Sequence, residues 1–155
     1  MKLALCFSGQ PRFTEECSGS ILANVIQNHD VDVFAHLWFD EDLQTKPYKF
    51  GGTGAWEAQR IQENAIETFQ KIYQPVSLAV ENSKLFGDPD LDADFEASEA
   101  KYWPGGIEEQ PDFQKRQINN SLSYFYSLCE VNRLRKLYEY DKKIKYDYVI
   151  RCRTD

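Results

Sequence analysis

Two short apolar runs, Leu3 to Phe7 and Val31 to Ala35, flank a helical stripe within the first forty residues. The first is continuous and bounded by turn residues, the pattern of a strand buried on both faces of a parallel sheet. Between the runs, Ile21, Leu22, Val25 and Ile26 repeat at helical spacing. This predicts a helix over Phe13 to Gln27, begun by Thr14 or Ser18. The second strand ends near His36-Leu37-Trp38. Strand, helix and strand make a βαβ unit, and crossovers of that kind are right-handed. Parallel strands need such crossovers, whose helices must then cover the faces of the sheet.

The rest of the chain continues the alternation. Asp40 to Gly54 is polar, with Pro47, Gly51, Gly52 and Gly54, and reads as a loop. Trp56 to Tyr73 reads as a second helix with Ile61, Ala65, Ile66, Phe69 and Ile72 on one face, stopped by Pro75; Val76 to Val80 is a third strand. Asn82 to Asp112 is acidic, carries three prolines and a Gly105-Gly106 pair, and has little periodicity. Long segments of this kind in compact domains are usually functional or mobile loops. Lys115 to Tyr140 is a long helix whose stripe holds Ile118, Leu122, Phe125, Cys129, Leu134 and Leu137. A charged turn, Asp141 to Lys145, leads to a last strand with an apolar centre, Tyr148 to Ile150. The expectation is an α/β fold: a Rossmann-like parallel sheet of strand order 3-2-1-4 with helices on both faces. It forms one domain over 1–155, with a long acidic loop at 82–114. That order sets the tips of the first and last strands side by side at a topological switch point, where open α/β sheets bind ligands.

Charge narrows the ligand. A net charge of −7 argues against a broad nucleic-acid surface, though not against a small phosphorylated ligand held by a few arginines. The four cysteines, Cys6, Cys17, Cys129 and Cys152, form no CxxC pair, which argues against zinc and suits a reduced, cytoplasmic setting. The apolar run after Lys2 is broken too early, at Ser8-Gly9-Gln10-Pro11-Arg12, for a signal peptide, and no stretch approaches membrane-spanning length.

Four segments carry possible chemistry. Ser8-Gly9-Gln10-Pro11-Arg12 follows the first strand and precedes a helix. Ser8 and Gly9 let backbone N–H groups approach an anion, and Arg12 adds a full charge. A plain strand-to-helix turn would use similar residues. On the last strand Arg151, Arg153 and Asp155 share one face, with Cys152 and Thr154 on the other. The arginines suit phosphate, and the carboxylate suits a divalent cation bridging a diphosphate; an internal Arg–Asp pair is the plainer alternative. Trp38 could stack on a base and Asp40 could take ribose hydroxyls, although a Trp at a strand end is more often core. Asp88, Asp90, Asp92, Asp94, Glu96 and Glu99 fall at EF-hand ligand positions, but Ala93 stands where that loop wants glycine. A solvated acidic loop is the expectation there.

Taken together, Leu3-Ala4-Leu5-Cys6-Phe7-Ser8-Gly9-Gln10-Pro11-Arg12, Asp32-Val33-Phe34-Ala35-His36-Leu37-Trp38 and Tyr146 to Asp155 resemble microbial and viral glycosyltransferase-like proteins of GT-A architecture. The resemblance implies a nucleotide-sugar donor as partner. It also implies an Asp-x-Asp-like motif, here Arg153-Thr154-Asp155, in which Asp155 holds Mn or Mg and Arg153 replaces the first carboxylate. Ser8, Gly9 and Arg12 would face the nucleotide. The resemblance further implies that the chain covers the donor half of such a fold and stops short of an acceptor site. A non-enzymatic nucleotide-binding or interaction module derived from that fold is the alternative, with an exposed sheet edge suited to homo-oligomers.

Overall fold

A computed structural model describes residues 1–40, 63–84, 86 and 111–153, the side chains of 111–118 excepted. Four strands, β1 (Lys2–Gly9), β2 (Asp30–Trp38), β3 (Ser77–Glu81) and β4 (Tyr148–Cys152), form one parallel sheet in the order β3-β2-β1-β4. The alternation of apolar runs and helices therefore gives the α/β fold and strand order that the sequence predicts. Register is continuous across the sheet: Leu5 lies opposite Val33 on one side and Ile150 on the other.

Side-chain alternation divides the core into two layers. Leu5 and Phe7 of β1 and Val33, Ala35 and Leu37 of β2 pack with Phe69 and Tyr73, while Ile21, Ile26, Ile150 and Cys152 close in around them. Ala4, Cys6 and Phe34 point the other way and pack on Val131, with Leu134, Tyr138 and Tyr146 alongside. Helices α1 (Thr14–Ile21) and α2 (Ala65–Tyr73) thus serve one face, and the long helix α3 (Pro111–Lys142) serves the other. Ala4 and Cys6 are small, which suits close approach of α3.

Local chemistry sets the ends of the elements. The first helix is not one regular helix over Phe13 to Gln27. It ends at Ile21 and continues as a π-helical turn, Leu22–Ile26, closed by Gln27 N–H donating to Leu22 O at 2.9 Å. Asn24 Nδ2 donates to Ser20 O at 2.9 Å and Asn28 Nδ2 to Ala23 O at 2.6 Å, so side-chain amides compete for the carbonyls of the last turns. Neither Thr14 nor Ser18 caps the start: Phe13 holds the cap position in the left-handed region, and Ser18 Oγ donates to Glu15 O at 2.8 Å. The second helix is described from Ala65; residues 56–62 lie outside the described residues. It closes one residue before Pro75, at Gln74, whose φ is 45° and whose N–H donates to Gln70 O.

The stripe expected on α3 needs correction. Phe125 is 60 % and Leu137 54 % exposed and Cys129 is exposed, while Ser127 and Val131 are buried against the sheet. The surface beneath the helix carries His36, which a serine satisfies better than a leucine.

At the strand starts a polar clamp fixes register. Lys2 Nζ lies 3.2 Å from Asp30 and 3.1 Å from Asp32, and Tyr146 OH donates to Asp32 at 2.6 Å. Asp147 accepts the Lys2 N–H at 2.7 Å.

The chain divides into two compact units, Met1–Ser83 with Tyr126–Asp155, and Lys84–Phe125. In the second unit Phe86 N–H donates to Asn119 Oδ1 at 2.8 Å, and the Tyr124 and Phe125 rings lie 5.4 Å apart. The glycine-rich segment 51–54 and the acidic residues Asp88 to Glu99 lie outside the described residues. Among the described residues no helix is long and apolar enough to cross a membrane.

Candidate functional site

The carboxyl end of the sheet is built from the tips of β1, β2 and β4. Ser8 pairs with His36 and Gly9 with Leu37 on one side, and Phe7 pairs with Cys152 on the other. Arg153, one residue past Cys152, is exposed and comes level with Ser8. Gly9 has φ of 120°, a conformation that an L side chain rarely adopts, and a Cβ there would meet nothing within 4 Å. The glycine answers a backbone demand, and the space beside it is open. Gln10 O then accepts the Arg12 N–H at 2.8 Å, a tight turn that sends the chain through Phe13, φ 52°, into α1. Arg12 is half-buried, with its Nε enclosed, and Glu15 and Glu16 occupy the first turn of α1.

These positions bring Ser8, Gly9, Arg12 and Arg153 to one end of the central strands. Trp38 and Asp40 stand elsewhere, on the β2–β3 side. Trp38 is 4 % exposed, its ring stacked on Tyr126 at 5.5 Å and set edge-on to His36 at 4.8 Å. It is a core residue whose apolar surface is already used. Asp40 Oδ1 accepts the Ser83 N–H at 2.8 Å, which ties the end of β2 to the residues after β3. Thr154 and Asp155 lie outside the described residues. Among the described residues no three His, Cys, Asp or Glu side chains are grouped to hold a metal ion.

A polar cluster that the sequence reading did not assign lies beneath α3. His36 is fully buried; its Nδ1 is 2.8 Å from Ser127 Oγ, and its Nε2 is 3.5 Å from Glu81 Oε1. Tyr126 OH donates to the same carboxylate at 3.2 and 3.3 Å. Serine, histidine and carboxylate in this order resemble an acyl-transfer relay. Ser127, however, is 2 % exposed, so the hydroxyl meets no substrate. The cluster instead joins β2, β3 and α3 through hydrogen bonds in a water-poor interior. The sequence signal was a histidine between Phe34 and Trp38 on one strand face.

The chain matches no family model, no curated protein and no solved structure.

Burial pushes the Cys6 thiol up to about 11 and raises Cys152 as well, so both stay protonated near neutrality.

Proposed function

We propose that this chain is the donor-binding part of a nucleotide-sugar-dependent, glycosyltransferase-like protein of GT-A architecture. One observation carries the reading: Gly9, with its positive φ and open surroundings, sits at the tip of β1 between β2 and β4, at the point where the strand order reverses. A diphosphate can approach the backbone at Gly9 without a side chain in the way. Arg12, three residues past the end of β1, and Arg153, one residue past the end of β4, supply positive charge at that end of the sheet. As the sugar–phosphate bond breaks, negative charge grows on the departing nucleoside diphosphate, and fixed cations stabilise that charge more than the ground state. Asp155 is the carboxylate that would hold Mn or Mg, whose role when bound is to neutralise the same diphosphate.

Thermal shift with UDP, GDP and their sugars, with and without Mn²⁺, tests this reading. The expected result is stabilisation by one nucleotide series, reduced in Arg12→Ala and Asp155→Asn, with the metal requirement lost in Asp155→Asn. Absence of stabilisation by every nucleotide, with or without metal, would overturn it.

A further inference from the structure

Among the described residues β4 is the outermost strand of the sheet: it pairs with β1 on one side and with no strand on the other. Tyr148 is 63 % and Val149 46 % exposed, so neither face of this strand is fully covered. A strand edge of this kind offers a row of backbone donors and acceptors to another strand. What distinguishes this edge is the order of its side chains.

We propose that two copies of this chain pair β4 against β4, antiparallel, about a two-fold axis at Ile150, joining their sheets. In that register Ile150 meets Ile150 of the second copy, Val149 lies opposite Arg151, and Asp147 lies opposite Arg153. Directly opposite residues share a face of the joined sheet. Each Asp147–Arg153 pair therefore forms twice, on either side of the axis, as an isologous contact requires.

The charge pattern selects this register over its neighbours. A slip of two residues in one direction still sets Asp147 against Arg151, but it sets Lys145 against Arg153 beside it, so each new attraction comes with a repulsion. In the other direction it sets Arg151 against itself. A slip of one residue brings no opposite charges together. Asp147 already accepts the Lys2 N–H through Oδ2, but its exposed carboxylate has acceptor capacity for an arginine as well. A guanidinium has five donors, so Arg153 can serve this pair together with an anion at the tip of its own strand. The pairing does not depend on the donor reading.

Sedimentation analysis of the 155-residue chain over a wide concentration range tests the proposal through Val149, which lies outside the donor site. Val149→Lys places a cation opposite Arg151 twice and should weaken the dimer by roughly tenfold or more. Val149→Glu places an anion there and should keep or tighten it. Circular dichroism confirms that both variants are folded. In the wild-type chain, amide exchange along β4 should slow as concentration rises, a readout that needs no variant. A monomer at every concentration, equal loss of dimer in both variants, an undiminished dimer in Val149→Lys, or exchange independent of concentration would each overturn the proposal.

Discussion

Ser127 shows how a single hydroxyl holds a buried interior together. It lies 2.8 Å from His36 Nδ1 and also reaches His36 O at 3.3 Å, within a helix face that otherwise offers Val131 to the sheet. Removing it leaves a buried ring nitrogen without that partner, and a loss of this kind costs about 1–3 kcal/mol. Ser127→Ala should therefore lower the urea midpoint with little change in slope. Ser121→Ala, at an exposed position of the same helix, should stay within about 0.5 kcal/mol of wild type. Equal midpoints for the two variants would remove the clamp role given to Ser127. The cysteines make a second residue-scale test. Cys17 and Cys129 are exposed, whereas Cys6 is buried and its thiol is raised to about 11. A disulfide reagent near neutral pH should label Cys17 and Cys129 quickly and Cys6 only on unfolding, read by peptide mass mapping. Rapid labelling of Cys6 in the folded chain would contradict its place between β2 and β4. At this scale the sequence is a partial guide: it marks Gly9 through its neighbours, but it cannot show that Trp38 is already stacked on Tyr126 from an element about ninety residues away.

Helix ends decide how the elements join. Gln74 closes α2 at φ 45°, an exposed residue in a region that costs an L side chain roughly 1 kcal/mol and costs glycine little. Gln74→Gly should raise the melting temperature, while Gln74→Ala should not. A lower melting temperature for the glycine variant would show that the side chain contributes more than the strain removes. The elements that were legible in the sequence are those whose reason is local. β1 is a run of apolar residues with no competing period, and six consecutive residues of it are buried. β2 reads as a strand for a related reason, and the strand order follows from alternation with helices. The inward face of α3 was legible only in part: Leu134 packs on the core as its spacing predicts, but Ser127 and Val131 were not foreseen. Its contacts are chosen by what lies under it, and His36 calls for Ser127 where a hydrophobic stripe would have put a leucine. The π-helical turn after α1 was hidden too, since it depends on Asn24 and Asn28 reaching back to carbonyls rather than on apolar spacing.

Across the whole molecule, the shifted protonation equilibria point one way. Burial raises Cys6 to about 11, Tyr73 to about 12, and Cys152. Tyr146 is raised by burial and by its hydrogen bond to Asp32, and Lys2 is raised chiefly by its own hydrogen bond to Asp32. The Lys2 share is small because the pair stands largely in solvent. Each of these groups keeps its proton in the folded chain at a pH where the unfolded chain has released it. Unfolded cysteine, tyrosine and lysine are half-ionised near 9.0, 10.0 and 10.5. The unfolded state then binds fewer protons than the native state, so unfolding free energy falls as pH rises. The contribution is present in full below about pH 9 and is lost progressively toward about pH 12. Urea midpoints measured from about pH 8 to about pH 11 should be level at first and then decline steadily. Cys6→Ala should make the earliest part of that decline shallower, because the more deeply buried of the two raised thiols has gone. A midpoint unchanged across the range, or a decline of the same steepness in Cys6→Ala, would mean that these groups reach solvent without unfolding, against the two-layer packing around β1.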